Sequence, residues 1–177
     1  RQAAGGLDFE FPEARVILDG SGKPCGVDLR VKNQATSLVE EAMILANEVV
    51  AAHLHERDFP ALYRVHEKPS PDSLAALLPV LSEFSWFNRI SPERFVAGDA
   101  HAVQQVLSES QGRLEADLVQ ALVLRAMKRA CYKPECEGHY GLASAAYAHF
   151  TSPIRRYPDL VVHRMLRAQL IRRPQRF

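Results

Sequence analysis

Apolar and polar positions change period several times along these 177 residues, and each change predicts an element. Leu7, Phe9 and Phe11 alternate with Asp8 and Glu10, the period of a strand with one apolar face, and Val16 to Leu18 continue it. Asp19-Gly20-Ser21-Gly22 is turn chemistry and Val27, Leu29 and Val31 alternate again, so Ala14 to Val31 reads as an antiparallel hairpin. From Asn33 to Arg57 the spacing becomes helical, with Leu38, Ala42, Leu45, Val49 and His53 on one stripe. Ser37 followed by Glu40 fits a capping box there, with Asn33 or Thr36 as alternative caps. Glu40 and Asn47, nearly two turns apart, share a face with Met43 and Ile44 beside them, whereas Glu41 points away to solvent or a partner.

Leu62 to His66 alternates again as a short strand. Ser70-Pro71 then starts a helix with Leu74, Leu77, Leu78 and Leu81 on its apolar face and a kink at Pro79. Trp86 and Phe87 read as core anchors. Ser91-Pro92 starts another short helix, Asp99 to Ser108 a third, and Arg113 to Ala130 a long one with Leu114, Leu118 and Leu122 inward. Gly138 to Leu142 reads as extended. The class is α+β, an antiparallel sheet packed with several helices.

At 47% hydrophobic and 24% charged, the chain is an ordinary globular domain, which excludes a low-complexity or collagen-like polypeptide. The opening RQAAGGLDF, without an initiator Met or a signal pattern, reads as a cut inside a larger protein. No apolar run approaches the roughly 18 residues of a membrane span, and three cysteines make no even disulfide set, so a reducing, cytoplasmic setting is expected. Cys131, Cys136 and His139, with Cys25 as a distant fourth, are the one metal-like cluster, but they lack the tight pairs of a structural zinc site; buried or incidental thiols are the default.

Net charge is +1, yet it is unevenly spread. Pro153 to Phe177 holds seven arginines (155, 156, 164, 167, 172, 173 and 176) against Asp159, a balance of +6, which leaves −5 for residues 1–152. Affinity for nucleic acid would concentrate at that basic end; the alternative is a solvated helix face. Within it, Ser152-Pro153 is a helix-start signature that places Arg155 and Arg156 near a helix N-terminus, the outline of a phosphate site. Pro158 ends that turn, and a second helix from Pro158 turns Val162, Leu166 and Leu170 to the core.

The stretch YAHFTSPIRRYPDLVVHR, Tyr147 to Arg164, resembles the signature of the ribonuclease II and ribonuclease R family, the RNB-domain exoribonucleases. LVEEAMILANEVVA (38–51), PALYRVHEKPS (60–70) and GLDFEFPEARVIL (6–18) resemble further family segments, in family order. The resemblance implies the C-terminal portion of an RNB catalytic domain. It also implies an activity: magnesium-dependent, processive 3′→5′ hydrolysis of single-stranded RNA to nucleoside 5′-monophosphates. The family's Mg2+ ligands are aspartates expected upstream of Arg1, with flanking β-barrel RNA-binding domains outside the chain. No metal ligand is assigned here, because aspartates 8, 19, 28, 58, 72, 99, 117 and 159 form no close cluster, and the chain alone is expected to be inactive.

By the same resemblance Arg155 matches the arginine that acts at the scissile phosphate; Arg156, as its helical neighbour pointing about 100° away, reads as a structural or backbone-phosphate contact. Phe9 falls where the family stacks an aromatic on an RNA base; the alternative is a packed sheet-face ring, with Phe11 as a rival. Glu40 matches the carboxylate that accepts from a ribose hydroxyl; the alternative is that it caps its own helix. Tyr147 and His163 are expected to pack. The competing class is a non-catalytic RNA-binding or interaction protein on the same scaffold, and neither a membrane nor an obligate protein partner is expected.

Overall fold

Local chemistry starts most of the helices. The computed structural model describes residues 1–9, 13–30 and 32–171; Phe11, Val31 and Arg172, Arg173 and Arg176 of the basic end lie outside them. Helix α1 (Gln34–His55) is capped by a reciprocal pair, Asn33 Oδ1 accepting from Thr36 N at 2.9 Å while Thr36 Oγ1 accepts from Asn33 N at 2.9 Å. The box is therefore Asn33–Thr36 and not Ser37–Glu40, one turn earlier than the favoured pattern. Such a cap stabilises by about 1 kcal/mol. Ser70, Ser91 and Asp99 cap α2 (Pro71–Ala75), α4 (Pro92–Val96) and α5 (Ala100–Ser110), as their sequences require. Pro79 does more than kink: α2 stops and a separate short α3 (Leu78–Leu81) begins, since a proline near a helix start needs no amide partner.

The strands form two antiparallel pairs. The hairpin β1 (Glu13–Leu18) and β2 (Pro24–Arg30) runs in the expected register, with Val16 opposite Val27 and a bulge at its turn end. Its turn is fastened by Asp19 Oδ1, which accepts from Ser21 N and Lys23 N at 2.8 and 2.9 Å. The segment before it is not a strand up to Phe9. Leu7 is instead buried, its N donating to Gly141 O at 2.8 Å, because a single close approach to another loop replaces a ladder. Strand β3 (Tyr63–Val65) pairs with β4 (Cys131–Lys133). The architecture is α+β, as expected.

Two cores result. Helices α2 to α5 and α6 (Ala116–Ala126) enclose Leu74, Trp86, Phe87, Phe95, Val106 and Val123, and the two aromatics that the sequence offered as anchors are both buried. The second core joins Ala51 and Leu54 of α1 to Tyr63, Val65 and Ala148, and to Val162 and Met165 of α7 (Tyr157–Leu170).

Three helices bury a face that differs, wholly on α1 and partly on α6 and α7, from the one the periodicity favoured. On α1 the inward row is Ile44, Asn47, Ala51 and Leu54, while Leu38, Leu45 and Val49 are 71%, 60% and 58% exposed. On α6 the inward residues are Val119, Gln120 and Val123; Leu122 is partly buried against the core, Leu118 is half-exposed and Leu114 wholly so, before the helix begins. On α7 Val162, Met165 and Ala168 face in, Leu166 is partly buried and Leu170 is exposed. Each of these helices carries two apolar rows about 100° apart, and which one is buried depends on where the neighbouring element lies.

Candidate functional site

The N-terminal half of α1 presents Glu40, Met43, Ile44 and Asn47 at helical spacing along one face. Against it lies the loop that connects β4 to α7, whose Leu142, Tyr147, Thr151 and Arg156 form the opposite wall of a groove of about 650 Å³. Its floor and sides are largely apolar, with Ala35, Val39, Met43 and Ile44 on the helix side. Glu40, Asn47, Thr151 and Arg156 are among its polar lining groups.

Asn47 holds the two walls together. It is buried, its Nδ2 donates to Tyr147 Oη at 2.9 Å, and its Oδ1 accepts from Phe150 N at 2.9 Å and Thr151 N at 3.2 Å. One side chain thereby satisfies two loop amides that no ladder serves. Tyr147 is buried, and that burial pushes its phenol above the ordinary range. His163 bonds Phe150 O through Nε2 at 2.9 Å and stacks on the Phe150 ring. Both are packing residues, as their sequence context indicated.

Glu40 does not cap α1, since Asn33 and Thr36 do. Its carboxylate stands at the groove mouth, half-exposed, with Lys32 Nζ at 2.8 Å. Glu41 pairs instead with Arg1 at 2.6 Å, which holds its carboxyl below the usual range through that hydrogen bond. Asp8 lies 3.6 Å from Arg1 and 3.8 Å from Lys32, so this charge cluster draws the segment bearing Phe9 to the start of α1. The Phe9 ring is half-buried and leans on the helical core.

At the other end the chain makes one tight turn. Ser152 O accepts from Arg155 N at 3.3 Å and Arg156 N at 3.1 Å, and no helix starts at Ser152-Pro153. The expected helix start is reduced to this turn, because Arg156 is extended (φ −130°, ψ 117°) and α7 opens only at Tyr157, with Pro158 in its first turn where no amide partner is needed. The two arginines part company here. Arg156 lines the groove and turns inward, its Nη2 2.7 Å from Asp159 Oδ1. Arg155 is exposed at the tip of the turn, and its guanidinium has no hydrogen bond or ion pair among the described residues. A free guanidinium offers a fixed charge and a planar fork of donors suited to phosphate oxygens. Arg164 and Arg167 are exposed on the outer face of α7.

Sequence reasoning missed a histidine cluster beneath the loop. His66 and His139 lie with ring centroids 5.0 Å apart, His139 packs on Tyr147, and Tyr147 on His149. His66 Nδ1 accepts from Gly141 N at 3.0 Å, which requires the neutral ring, with Nε2 donating to Lys128 O at 2.8 Å. His139 Nδ1 accepts from Leu142 N at 3.2 Å, and His149 Nδ1 meets Tyr132 Oη at 2.7 Å. Burial pushes His139 and His149 each down to about 4. No local pattern links positions 66, 139 and 149; only the pairing of β3 with β4 and the returning loop assembles them.

Among the described residues no group of three His, Cys, Asp or Glu side chains gathers to hold a metal ion. Cys25 is on the exposed hairpin, Cys136 Sγ donates to Ala145 O, and Cys131 sits in β4. The carboxylates nearest the groove, Glu40 and Asp159, are engaged by Lys32 and Arg156, so the donor set does not fit magnesium either. Among the described residues no helix is long and apolar enough to cross a membrane.

A family model described as the RNB domain matches residues 1–172. Ribonuclease R of Aquifex aeolicus is 42% identical over 174 residues, covering 96% of this chain and 24% of that protein. Ribonuclease R of Escherichia coli is 38% identical over 171 residues, covering 94% of this chain and 20% of that protein. The chain thus spans a fifth to a quarter of the length of these relatives. Among solved structures, Mycoplasma genitalium RNase R in complex with ribose methylated single-stranded RNA superposes with a TM-score of 0.86 at 29% identity, covering 96% of this chain and 26% of that one.

Proposed function

The chain belongs to the RNB domain family, and on that premise we propose that it forms one wall of the RNA channel of a processive 3′→5′ exoribonuclease. That enzyme hydrolyses single-stranded RNA to nucleoside 5′-monophosphates. The reading is supported by the likeness to ribonuclease R, one solved example of which holds single-stranded RNA. The observation that carries it is the apolar groove lined by Arg156, together with the exposed, unpaired Arg155 next to it in the turn.

In this reading the strand lies along the groove, where flat apolar walls suit bases and ribose edges. Glu40 accepts from a ribose hydroxyl, exchanging its half-exposed partner Lys32 for the sugar, at a cost of no more than about 1 kcal/mol for a surface ion pair. Phe9 stacks on a base. Arg156 backs the groove wall, and Arg155 donates to the phosphate undergoing attack, where its fork meets the negative charge that develops in the transition state. Magnesium dependence belongs to the same proposal, with the ligands outside these 177 residues, in an acidic upstream half of the domain. Flanking β-barrel RNA-binding domains and a cytoplasmic setting complete it; free thiols at Cys25, Cys131 and Cys136 are in keeping with that setting.

The test is degradation of 5′-labelled single-stranded RNA with magnesium, comparing the 177-residue chain with the complete polypeptide that carries it. Shortening from the 3′ end by the complete polypeptide alone is the expected result. Binding by the complete polypeptide without degradation assigns the scaffold to a non-catalytic RNA-binding protein. Degradation by the 177-residue chain places the metal ligands inside it and refutes their proposed location.

A further inference from the structure

Asp159 is wholly buried, and its carboxylate closes the loop that carries Arg155. Oδ1 accepts from Ser152 N at 2.7 Å on one side of the loop and from Arg156 Nη2 at 2.7 Å on the other. Between those two anchors lie Pro153, the fully exposed Ile154 and Arg155, whose own backbone is turned back onto Ser152 O. Arg156 is consumed by this tie. Its neighbour Arg155 is left free and exposed.

The node is not built for stability. Asp159 Oδ2, Arg156 Nε and Thr151 Oγ1 are all buried without a hydrogen-bond partner among the described residues. A half-satisfied buried ion pair is a costly fastening, and apolar side chains of similar volume generally hold a fold as well or better. What a charged, directional node supplies that apolar packing does not is a single orientation for the groups it ties. A loop fixed at both ends of a five-residue turn has little freedom to reorient the residue at its tip.

We propose that Asp159 is a positioning residue: through Ser152 N and Arg156 it fixes the turn that aims Arg155 at its target. This rests on the reading that Arg155 acts at the scissile phosphate. Asp159 touches neither RNA nor metal, and its effect passes through Arg155 alone.

A double-mutant cycle in the complete, RNA-degrading polypeptide tests it, with single-turnover cleavage rates and RNA Kd measured for wild type, Asp159→Asn, Arg155→Ala and the double variant. Arg155→Ala is expected to slow cleavage by about a hundredfold or more. Asp159→Asn keeps the shape and an acceptor for Ser152 N but removes the charge that orients Arg156. It is expected to slow cleavage by about ten- to a hundredfold, the scale of an ångström-level misplacement, with RNA Kd changed less than about threefold. In the Arg155→Ala background the same substitution should slow cleavage no further, a result that a merely structural role would not give.

An equal loss in both backgrounds, or no loss in the wild-type background, overturns the positioning role while leaving Arg155 at the phosphate. An Arg155→Ala variant with the wild-type rate removes the reading of Arg155 and this inference with it. Should Asp159→Asn not purify folded, Arg156→Gln replaces it in the cycle, since it removes the other half of the tie, and the same lack of further effect on the Arg155→Ala rate is required.

Discussion

Replacing Asn47 by alanine should strike the groove at a buried side chain that bonds its two walls directly. Three hydrogen bonds disappear together: Tyr147 Oη loses its donor, and the amides of Phe150 and Thr151 lose their acceptor. A typical intramolecular hydrogen bond contributes about 1 kcal/mol net, and a buried group left without a partner costs roughly 1–3 kcal/mol. The two amides are only partly buried, so about 1 kcal/mol applies to each, and the buried Tyr147 bond adds about 1–2 kcal/mol, so the loss should total about 3–4 kcal/mol. That is a large part of the roughly 5–15 kcal/mol of a typical domain.

Urea unfolding followed by the fluorescence of Trp86 measures the loss, and hydrogen exchange locates it: the Phe150 and Thr151 amides should exchange faster while those of α5 keep their protection relative to the new global stability. Asn47→Asp is the control. Its carboxylate still accepts from both amides, and the Tyr147 hydroxyl can reverse and donate, so less than half the loss is expected. If Asn47→Ala changes stability by less than about 0.5 kcal/mol, the range of an ordinary surface substitution, the fastening role is wrong.

Phe9→Ala is expected to weaken single-strand binding by roughly 1–3 kcal/mol, the scale of one base stacked on a ring, together with some loss of folding stability because the ring leans on the helical core. Titration of a labelled single strand separates the two, and a change confined to the melting temperature assigns the ring to packing. Stability should also fall as pH drops. His139 and His149 are held neutral by burial down to about 4, whereas the unfolded rings take up protons near 6.5, so the unfolded chain binds more protons between those values. Stability is then full above about pH 6.5, declines toward pH 4, and by pH 5 has lost on the order of 1 kcal/mol per ring after allowance for their partial exposure. Urea midpoints from pH 7.5 to 4.5 measure this, and replacing both rings by glutamine should flatten that slope; an unchanged slope refutes the assignment to these two rings.

Much of the chain was legible from nearest neighbours in sequence. The Asp19-Gly20-Ser21-Gly22 turn and its hairpin, the Ser70, Ser91 and Asp99 caps, and the shared face of Glu40 and Asn47 all depend on residues within two helical turns of one another, and all are present. The pairing of Ser152, Pro153 and two arginines likewise marked the candidate site before its geometry was known. What local pattern could not decide was choice between equivalents. Two apolar rows on α1, α6 and α7 have the same period, and only the position of a packing partner selects Ile44, Val119 or Met165 over Leu45, Leu118 or Leu166.

The same limit separates Arg155 from Arg156. As neighbours of identical chemistry they are indistinguishable in sequence, and one buried carboxylate, arriving from the first turn of α7, decides which is tied and which stays free. Asn47 and His66 show it at longer range. Their partners lie 62 to 104 positions away, so their roles follow from the return of the loop against α1 and β3, a contact whose free energy comes from the whole second core.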